Sequence, residues 1–558
     1  MMRVDTLFYV FSWLALSFAL VNPILPGWNP DPTILRVGSD YFIATSSFEY
    51  FPGYPIYHST DLVDWTLIGH ALHTPSHLSL FGTPSDAGAW GASLRYHDGT
   101  FYLTGTVRYV YTYELRLFPR SFFVTTTDIF SNNWSDPVYL DALGYDADLF
   151  WDTNGDVYNT WSGINNAIDK IYSIYQNKID ITTGNSLTPA EVIFTGTLPD
   201  NSTARPEGPH LYLINSTYYL LIAEGGSGPE HRSTIQRGPS SSGPWENNPA
   251  NPILFNGANL SLPVQWTGHS DIVQAPDGQW WGVALGVRPQ GDLNHIQLGR
   301  ETFLFPVIFE QDWPVFNHGQ PLSIETPNIL SDKSHLSNFY DNFSENTLGI
   351  SYYFLRNPYK TFHSLTSRPG YLRLKGNSYA LGDRDNSALI LRKQTSYEET
   401  FETVLDGFTP ASNLTEAGAT IYYGDFAHQD IGITGSADGG GNRFIVTRTI
   451  TAAEQAGPWA LTTLNNTITT VTYTPLSTKS DPVKLVIVGH PTSYSLGFAE
   501  GNDTSVMFTT TLDSMWMSVP PVNDFFFKGA AFGVYSTGNG RPILNPADFA
   551  YWNQTPAP

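Results

Sequence analysis

Short runs of aromatic and β-branched residues, broken by Gly, Pro, Asn or Asp, follow one another along nearly the whole chain. TFYLTGTVRYVYTYEL and SFFVTTTDIF are examples. This pattern predicts β-strands separated by tight turns. No long segment carries the 3.6-residue period of an amphipathic helix, so the chain reads as almost all β. Within residues 22–315 a longer rhythm overlies the strands. One residue opens a strand, a turn rich in Gly, Asn and Asp follows, and an aromatic return strand closes the phrase. Asp31 opens the first phrase (NPDPTIL, then Tyr41 and Phe42), and Trp90 opens GAWGASLRYHDGTFY. Asp146 opens YDADLFWDTNGDVY, Glu207 opens PEGPHLYLINSTYY and His269 opens GHSDIVQAPDGQWW. From leader to last aromatic is eleven residues in the first phrase and twelve in the others, and the leaders recur every 56 to 62 residues. A hairpin repeat of that length predicts the blades of a five-bladed β-propeller. Equivalent blades put their leaders at one end of the central channel, which brings the carboxyls of Asp31, Asp146 and Glu207 into one cleft.

The rhythm lapses over residues 316–337, a connector rich in Pro, Asn and Ser. A second all-β region spans residues 338–558, with strands such as TVLDGF, ATIYYG, RFIVTRTI, KLVIVGH, YSLGFAE and GAAFGVYST. Many short strands at this spacing predict a C-terminal β-sandwich of jelly-roll, concanavalin-like type.

Composition narrows the ligand. The 558 residues carry a net charge of −23 with only 14% charged residues, against about 25% in ordinary globular domains. Nucleic acid and anionic membranes need basic patches that such a chain lacks. Its aromatic content of 14% suits neutral, flat-faced ligands such as sugars, although most of these rings serve β cores. Residues 1–21 read as a signal peptide, with an early Arg, an apolar run, and Ser17-Phe18-Ala19 as the cleavage site, so export to the extracellular space is expected. Cysteine is absent, and a core of this size does without disulfides. Nine Asn-x-Ser/Thr sequons (Asn133, Asn201, Asn215, Asn259, Asn342, Asn413, Asn465, Asn502 and Asn553) fit a eukaryotic secretory glycoprotein. Asn215 falls in the turn of the fourth phrase, where a glycan must face solvent.

Glycoside hydrolysis requires one protonated carboxyl to assist the leaving oxygen and one carboxylate to activate water or attack carbon. A third nearby carboxylate holds the acid's proton in place. Each acidic leader has a plainer role when read alone. Asp31 lies between two prolines and Glu207 before Gly208-Pro209, both as turn residues, and Asp146 competes with Asp148 and Asp152 as a cap. Three acidic leaders in one repeat outweigh those readings. His269 can orient a carboxylate, bind a sugar hydroxyl or face a channel cation. Trp90 can wall a sugar ring or fill core. Arg288, in Gly286-Val287-Arg288-Pro289, suits a sugar hydroxyl or a structural salt bridge equally.

At these motifs the chain resembles the family 43 glycoside hydrolases, most closely their two-domain β-xylosidase/α-L-arabinofuranosidase branch. The matching pieces are NPDPTI, YFIATSSFEYFPGYPIYHSTDLVDW, YDADLFWDTNG, RPEGPHLY, LLIAEGG, GHSDIV and LGRETFLFPV, followed by DNFSENTLGISYYFLRNP and RPGYLRLKG. The resemblance implies a five-bladed propeller and hydrolysis with inversion. It casts Asp31 as general base, Glu207 as general acid and Asp146 as the carboxylate that tunes the acid and orients substrate. It implies that Phe48, Trp90, His269 and Arg288 line the sugar pocket. It also implies that Phe527 enters from the second domain, with Phe525 and Phe526 leaving that register open by one or two residues. Relatives often hold calcium near the position of His269, so Ca²⁺ in the channel is an expectation, although the chemistry requires no cofactor. Two departures stand out: Ala147 replaces the usual proline, and Trp90-Gly91-Ala92 replaces Trp-Ala-Pro. The expected activity is an exo-acting, secreted β-1,4-xylosidase that releases D-xylose from xylo-oligosaccharides. An α-L-arabinofuranosidase acting on arabinoxylan is the alternative within the class. A non-catalytic sugar-binding propeller is the alternative outside it, and it has no use for three clustered carboxyls. Oligomeric state is not legible in the sequence.

Overall fold

The computed structural model describes residues 19–109, 119–164, 172–199, 204–291, 295–327, 335–452, 467–517 and 527–557. The core of the signal peptide, Asn201, Asn465, Phe525 and Phe526 lie outside the described residues.

Five four-stranded antiparallel sheets follow one another along the chain, each built from strands consecutive in sequence apart from the Tyr50–Phe51 segment. Their innermost strands are Thr33–Val37, Gly88–His97, Gly144–Trp151, Glu207–Ile214 and Gln265–Gln274. These are the five predicted blades. The ring closes where residues 22–25 run along the third strand of blade five. There the Asn22 side chain donates to Leu304 O (2.9 Å) and accepts from Leu304 N–H (3.0 Å), and Ile24 N–H donates to Thr302 O (2.9 Å). Asn215 sits exposed in a two-residue hairpin turn, both of whose residues are left-handed, with φ of 49° and 65°. That geometry is typical of tight hairpins.

One device recurs at the start of the innermost strands. In blades two to five the register slips between Trp90 and Ser93, Tyr145 and Asp148, Glu207 and His210, and Gly268 and Asp271. These slips are β-bulges, which bend a strand and re-aim its side chains. The second bulge residue is left-handed each time: Gly91 (φ 30°), Asp146 (53°), Gly208 (56°) and His269 (49°). In blade one Pro30 and Asp31 (φ 54°) hold the same two places, and Ser46 N–H donates to Pro30 O at 3.1 Å. Asp and His are among the non-glycine residues that tolerate this conformation.

This geometry corrects the single register expected for the leaders. Asp31, Asp146 and His269 share the second bulge place, whereas Trp90 and Glu207 stand one residue earlier. The constant spacing in sequence hid the offset because the hairpin loops differ in length: Asp98-Gly99 and Asn215-Ser216 are two-residue turns, but residues 152–156 and 275–279 form longer ones.

The C-terminal region is a sandwich of two eight-stranded sheets. Phe401, Trp552, Phe532, Leu405 and Ile421 pack between them, with Phe401 4.6 Å from Trp552 and 5.5 Å from Phe532, centroid to centroid. One sheet does not stop at the domain border. The propeller segment Tyr50–Phe51 pairs antiparallel with Tyr353–Leu355 and becomes its edge strand. Trp28, Phe48, Tyr50, Trp90, Tyr353, Tyr422 and Phe527 then form one buried cluster across the border, so apolar packing as well as backbone pairing fixes the second domain on the catalytic face.

Candidate active site

A cavity of about 160 Å³ opens where the bulges converge, lined among others by Asp31, Trp90, Tyr145, Asp146, Glu207 and His269. It is small beside the roughly 300–1,000 Å³ of pockets for drug-sized ligands, and suits one sugar ring better than a run of them. Both bulge places contribute. Glycine at two second places leaves room: a Cβ on Gly91 would lie 1.8 Å from Asp146 Oδ1, and one on Gly208 would lie 3.0 Å from the His269 ring.

The three carboxyls sit in different electrostatic settings. Asp31 Oδ2 accepts from Ser46 Oγ (2.6 Å), and Oδ1 accepts from Arg300 Nη1 (3.0 Å) with His269 Nδ1 at 3.7 Å. Burial alone would raise its pKa, but Arg300, His269 and the Ser46 hydroxyl together hold it below the ordinary carboxylate value. Glu207 Oε2 accepts from Tyr145 OH (3.1 Å), and His231 Nε2 lies 4.0 Å from Oε1. Burial pushes Glu207 up to about 7; the Asp31 charge adds to this and Arg205 opposes it. Asp146 Oδ2 accepts from Gly208 N–H at 3.1 Å, tying blade three to the residue beside Glu207. Burial first, then the charges of Glu207 and Asp31, push Asp146 well above its ordinary value. The site thus pairs Asp31, held toward its ionised form, with Glu207 and Asp146, both shifted toward their protonated forms. Burial lowers His269 to about 4 and His231 to about 3, which leaves both rings neutral.

The walls are aromatic. Phe527 stacks on Phe48 at 6.1 Å and meets Trp90 edge-on at 5.2 Å, so a residue of the second domain faces the propeller's carboxyls. It is delivered by a buried polar cluster. Lys528 Nζ contacts Glu49 (3.0 Å), Asp86 (3.4 Å) and Ser85 Oγ (2.7 Å), while Phe527 N–H donates to Asp86 Oδ1 (3.2 Å). Arg300 Nε donates to Phe527 O at 3.0 Å, so one guanidinium holds both the aromatic wall and Asp31.

The expectation for Arg288 is corrected. Its guanidinium is bound twice by buried Glu301, at 2.6 and 2.9 Å, and it does not line the cavity. Arg300 fills the role instead. Reading by repeats missed it because it lies just before the third strand of blade five, outside the leader phrase, although it stands within the quoted LGRETFLFPV motif. Tyr145, Arg108, Tyr172 and Arg205 also line the cavity without having been singled out. Tyr145 was discoverable as the residue before Asp146.

The calcium expected near His269 finds no fitting donor set. Among the described residues no group of three or more His, Asp or Glu converges as metal ligands, and a guanidinium, that of Arg95, occupies the channel below the site.

Comparison with known proteins agrees with this architecture. The profile of glycosyl hydrolases family 43 matches residues 20–314, and that of the beta xylosidase C-terminal concanavalin A-like domain matches residues 340–554. The chain is 36% identical over 538 residues to the non-reducing end alpha-L-arabinofuranosidase BoGH43B of Bacteroides ovatus, covering 95% of this chain and 94% of that protein. It is 34% identical to a beta-xylosidase of Bacillus subtilis over 72% of this chain and 77% of the relative. The crystal structure of a xylan beta-1,4-xylosidase from Bacillus halodurans superposes with a TM-score of 0.86 at 30% identity, covering 96% of this chain and all of that one. By fold, by sequence and across both domains, this chain belongs to glycosyl hydrolase family 43 and is a glycosidase.

Proposed function

We propose that this glycosidase is an exported, exo-acting, inverting enzyme that removes one pentose, D-xylose in the first reading, from the non-reducing end of β-1,4-xylo-oligosaccharides. The observation that carries the mechanism is the opposed environment of two carboxyls in one small cavity: Asp31 gripped by Arg300 and Ser46, and Glu207 partly buried beside Tyr145. Glu207 gives its proton to the glycosidic oxygen as the bond from that oxygen to the anomeric carbon breaks. Asp31 takes a proton from a water whose oxygen attacks the same carbon from the opposite face. The released sugar therefore has the inverted configuration, and the products are one pentose and a shortened chain. Asp146 fixes the peptide next to Glu207 by accepting from Gly208 N–H. The Phe527 wall closes the cavity behind one ring, which supports exo action.

Release of L-arabinose is the second reading. It is favoured by the arabinofuranosidase from B. ovatus, which matches this chain from end to end. Aryl β-D-xyloside and aryl α-L-arabinofuranoside assayed side by side decide between them, and a larger kcat/KM for the arabinoside overturns the first reading. Proton NMR of the first-formed product tests the mechanism: β-xyloside must yield α-xylose, and initial β-xylose rules out inversion.

A further inference from the structure

Two residues beyond the left-handed bulge residue, each innermost strand places one more residue at a common level: Thr33, Ser93, Asp148, His210 and Asp271. This ring lies immediately below the catalytic groups, on the same strands, and it is buried. It contains two carboxylates. Asp271 Oδ2 accepts from Thr33 Oγ1 (2.8 Å) and Ile34 N–H (3.0 Å), and Oδ1 accepts from Tyr212 OH (2.5 Å) and Ile272 N–H (2.8 Å). Arg95, two residues past Ser93, reaches across the axis. Its Nη2 lies 2.7 Å from Asp148 Oδ2 and 2.9 Å from His210 Nδ1, and its Nη1 lies 3.4 Å from Asp271 Oδ2. One guanidinium thus joins blades two, three, four and five, and Asp271 carries the connection on to blade one through Thr33.

Two carboxylates in a buried channel need a positive charge, because an unpaired buried ion is costly. A divalent cation with oxygen ligands is one solution, but calcium takes six to eight of them. Here both oxygens of Asp271 are already engaged. The ring's fully buried polar atoms without a partner are Asp148 Oδ1 and His210 Nε2, which suit a bridging water and fall short of a calcium cage. The planar fork of arginine satisfies several acceptors at once, as an ammonium or a bare ion of the same charge does not.

We propose that the Arg95 guanidinium is the resident cation of the propeller channel, standing where a divalent metal would otherwise neutralise the ring, so that this enzyme is built and held in register without one. Arg95 is then a positioning residue. By locking Asp148 and Asp271 directly, it fixes strands that present Asp146 and His269 two residues earlier.

The test uses the full-length enzyme. Protein treated with EDTA and desalted should contain no stoichiometric divalent metal by elemental analysis, and its kcat/KM and melting temperature should not change when CaCl₂ is added. One tightly held metal per chain, whose removal lowers kcat/KM, overturns the proposal. Arg95→Ala should lower kcat/KM by about 10–100-fold, the usual cost of losing a group that orients a site's ligands, with recovery on adding millimolar guanidinium or CaCl₂. Arg95→Lys should outperform Arg95→Met, although methionine matches the lost length. Met equal to or better than Lys shows that only volume matters and refutes the cation role. Should Arg95→Ala not fold, the metal content and calcium response of the native enzyme decide the question alone.

Discussion

Replacing Glu207 by glutamine removes the proposed proton donor and also a strained ionisation, so activity and stability should move in opposite directions. The acid's ordinary value is 4.5, and burial raises it to about 7 in the folded protein. Between these values the native state keeps a proton that the unfolded chain has released, so unfolding releases a proton and stability falls as pH rises. The contribution is fully present below about pH 4.5 and is lost by about pH 7. A gap of about 2.5 units at 1.36 kcal/mol each amounts to about 3 kcal/mol. The amide introduced by E207Q does not ionise, so the variant should gain on the native enzyme by up to about 3 kcal/mol between pH 5 and 8, and little below pH 4.5. Denaturant unfolding of both proteins at several pH values reads this difference. For catalysis, loss of a general acid costs about 10²–10⁴-fold, but a leaving group that departs without protonation hides the loss. E207Q should therefore be severely impaired on xylobiose and much less so on a dinitrophenyl xyloside. A stability difference that does not change with pH, or an equal loss on both substrates, refutes the assignment of Glu207.

Three further outcomes follow from the geometry. Arg300→Gln removes the nearest positive charge from Asp31, so the base's pKa rises and the acidic limb of the kcat/KM profile moves toward neutral pH; Arg288→Gln should leave that limb in place, and a limb that ignores Arg300 contradicts the role given to it. Phe527→Ala opens the wall behind the sugar, and it should raise KM for aryl pentosides while costing about 3 kcal/mol or more, read as a drop in melting temperature. Lys528→Met leaves Glu49 and Asp86 as buried charges without their ammonium, and should cost about 3–5 kcal/mol in denaturant unfolding, whereas a loss within error removes the cluster's role in docking the second domain.

What could be read from sequence was what repeats or alternates. The five blades were visible because each carries the same leader, turn and aromatic return, and the sandwich because its strands are separated by Gly- and Asn-rich turns. Asp31, Asp146, Glu207 and His269 were visible because the repeat carries them to one place. The arginines were not. Arg288 and Arg300 flank the same two-strand crossing, where Gly286 pairs with Glu301, and each must find one of two carboxylates. Glu301 is within reach of Arg288 and holds it twice, which leaves Arg300 for Asp31, a partner 269 residues away in sequence. No local pattern encodes that exchange. The channel ring escaped for a similar reason: Thr, Ser, Asp, His and Asp share a level but no residue type.

The offset between Glu207 and Asp31 is what allows acid and base to coexist. A strict five-fold repeat with one inward residue per blade would present its side chains at a single height, leaving acid and base differing only in which blade they occupy. The bulge gives each blade two consecutive inward places. Blade four uses the first for Glu207 and puts glycine in the second, while blade one uses the second for Asp31 and puts proline in the first. Each place is then supported separately. Tyr145, itself at a first place, binds Glu207, and Arg300 with Ser46 binds Asp31. Left-handed backbone at Asp31, Asp146 and His269 costs about 1–3 kcal/mol each and persists only where surrounding contacts over-determine it. The ring joined by Arg95 lies two residues beyond every one of these strained positions. Strain at the bulges and charge pairing beneath them are therefore parts of one construction: the ring fixes the strands, and the fixed strands hold the backbone where the carboxyls must be.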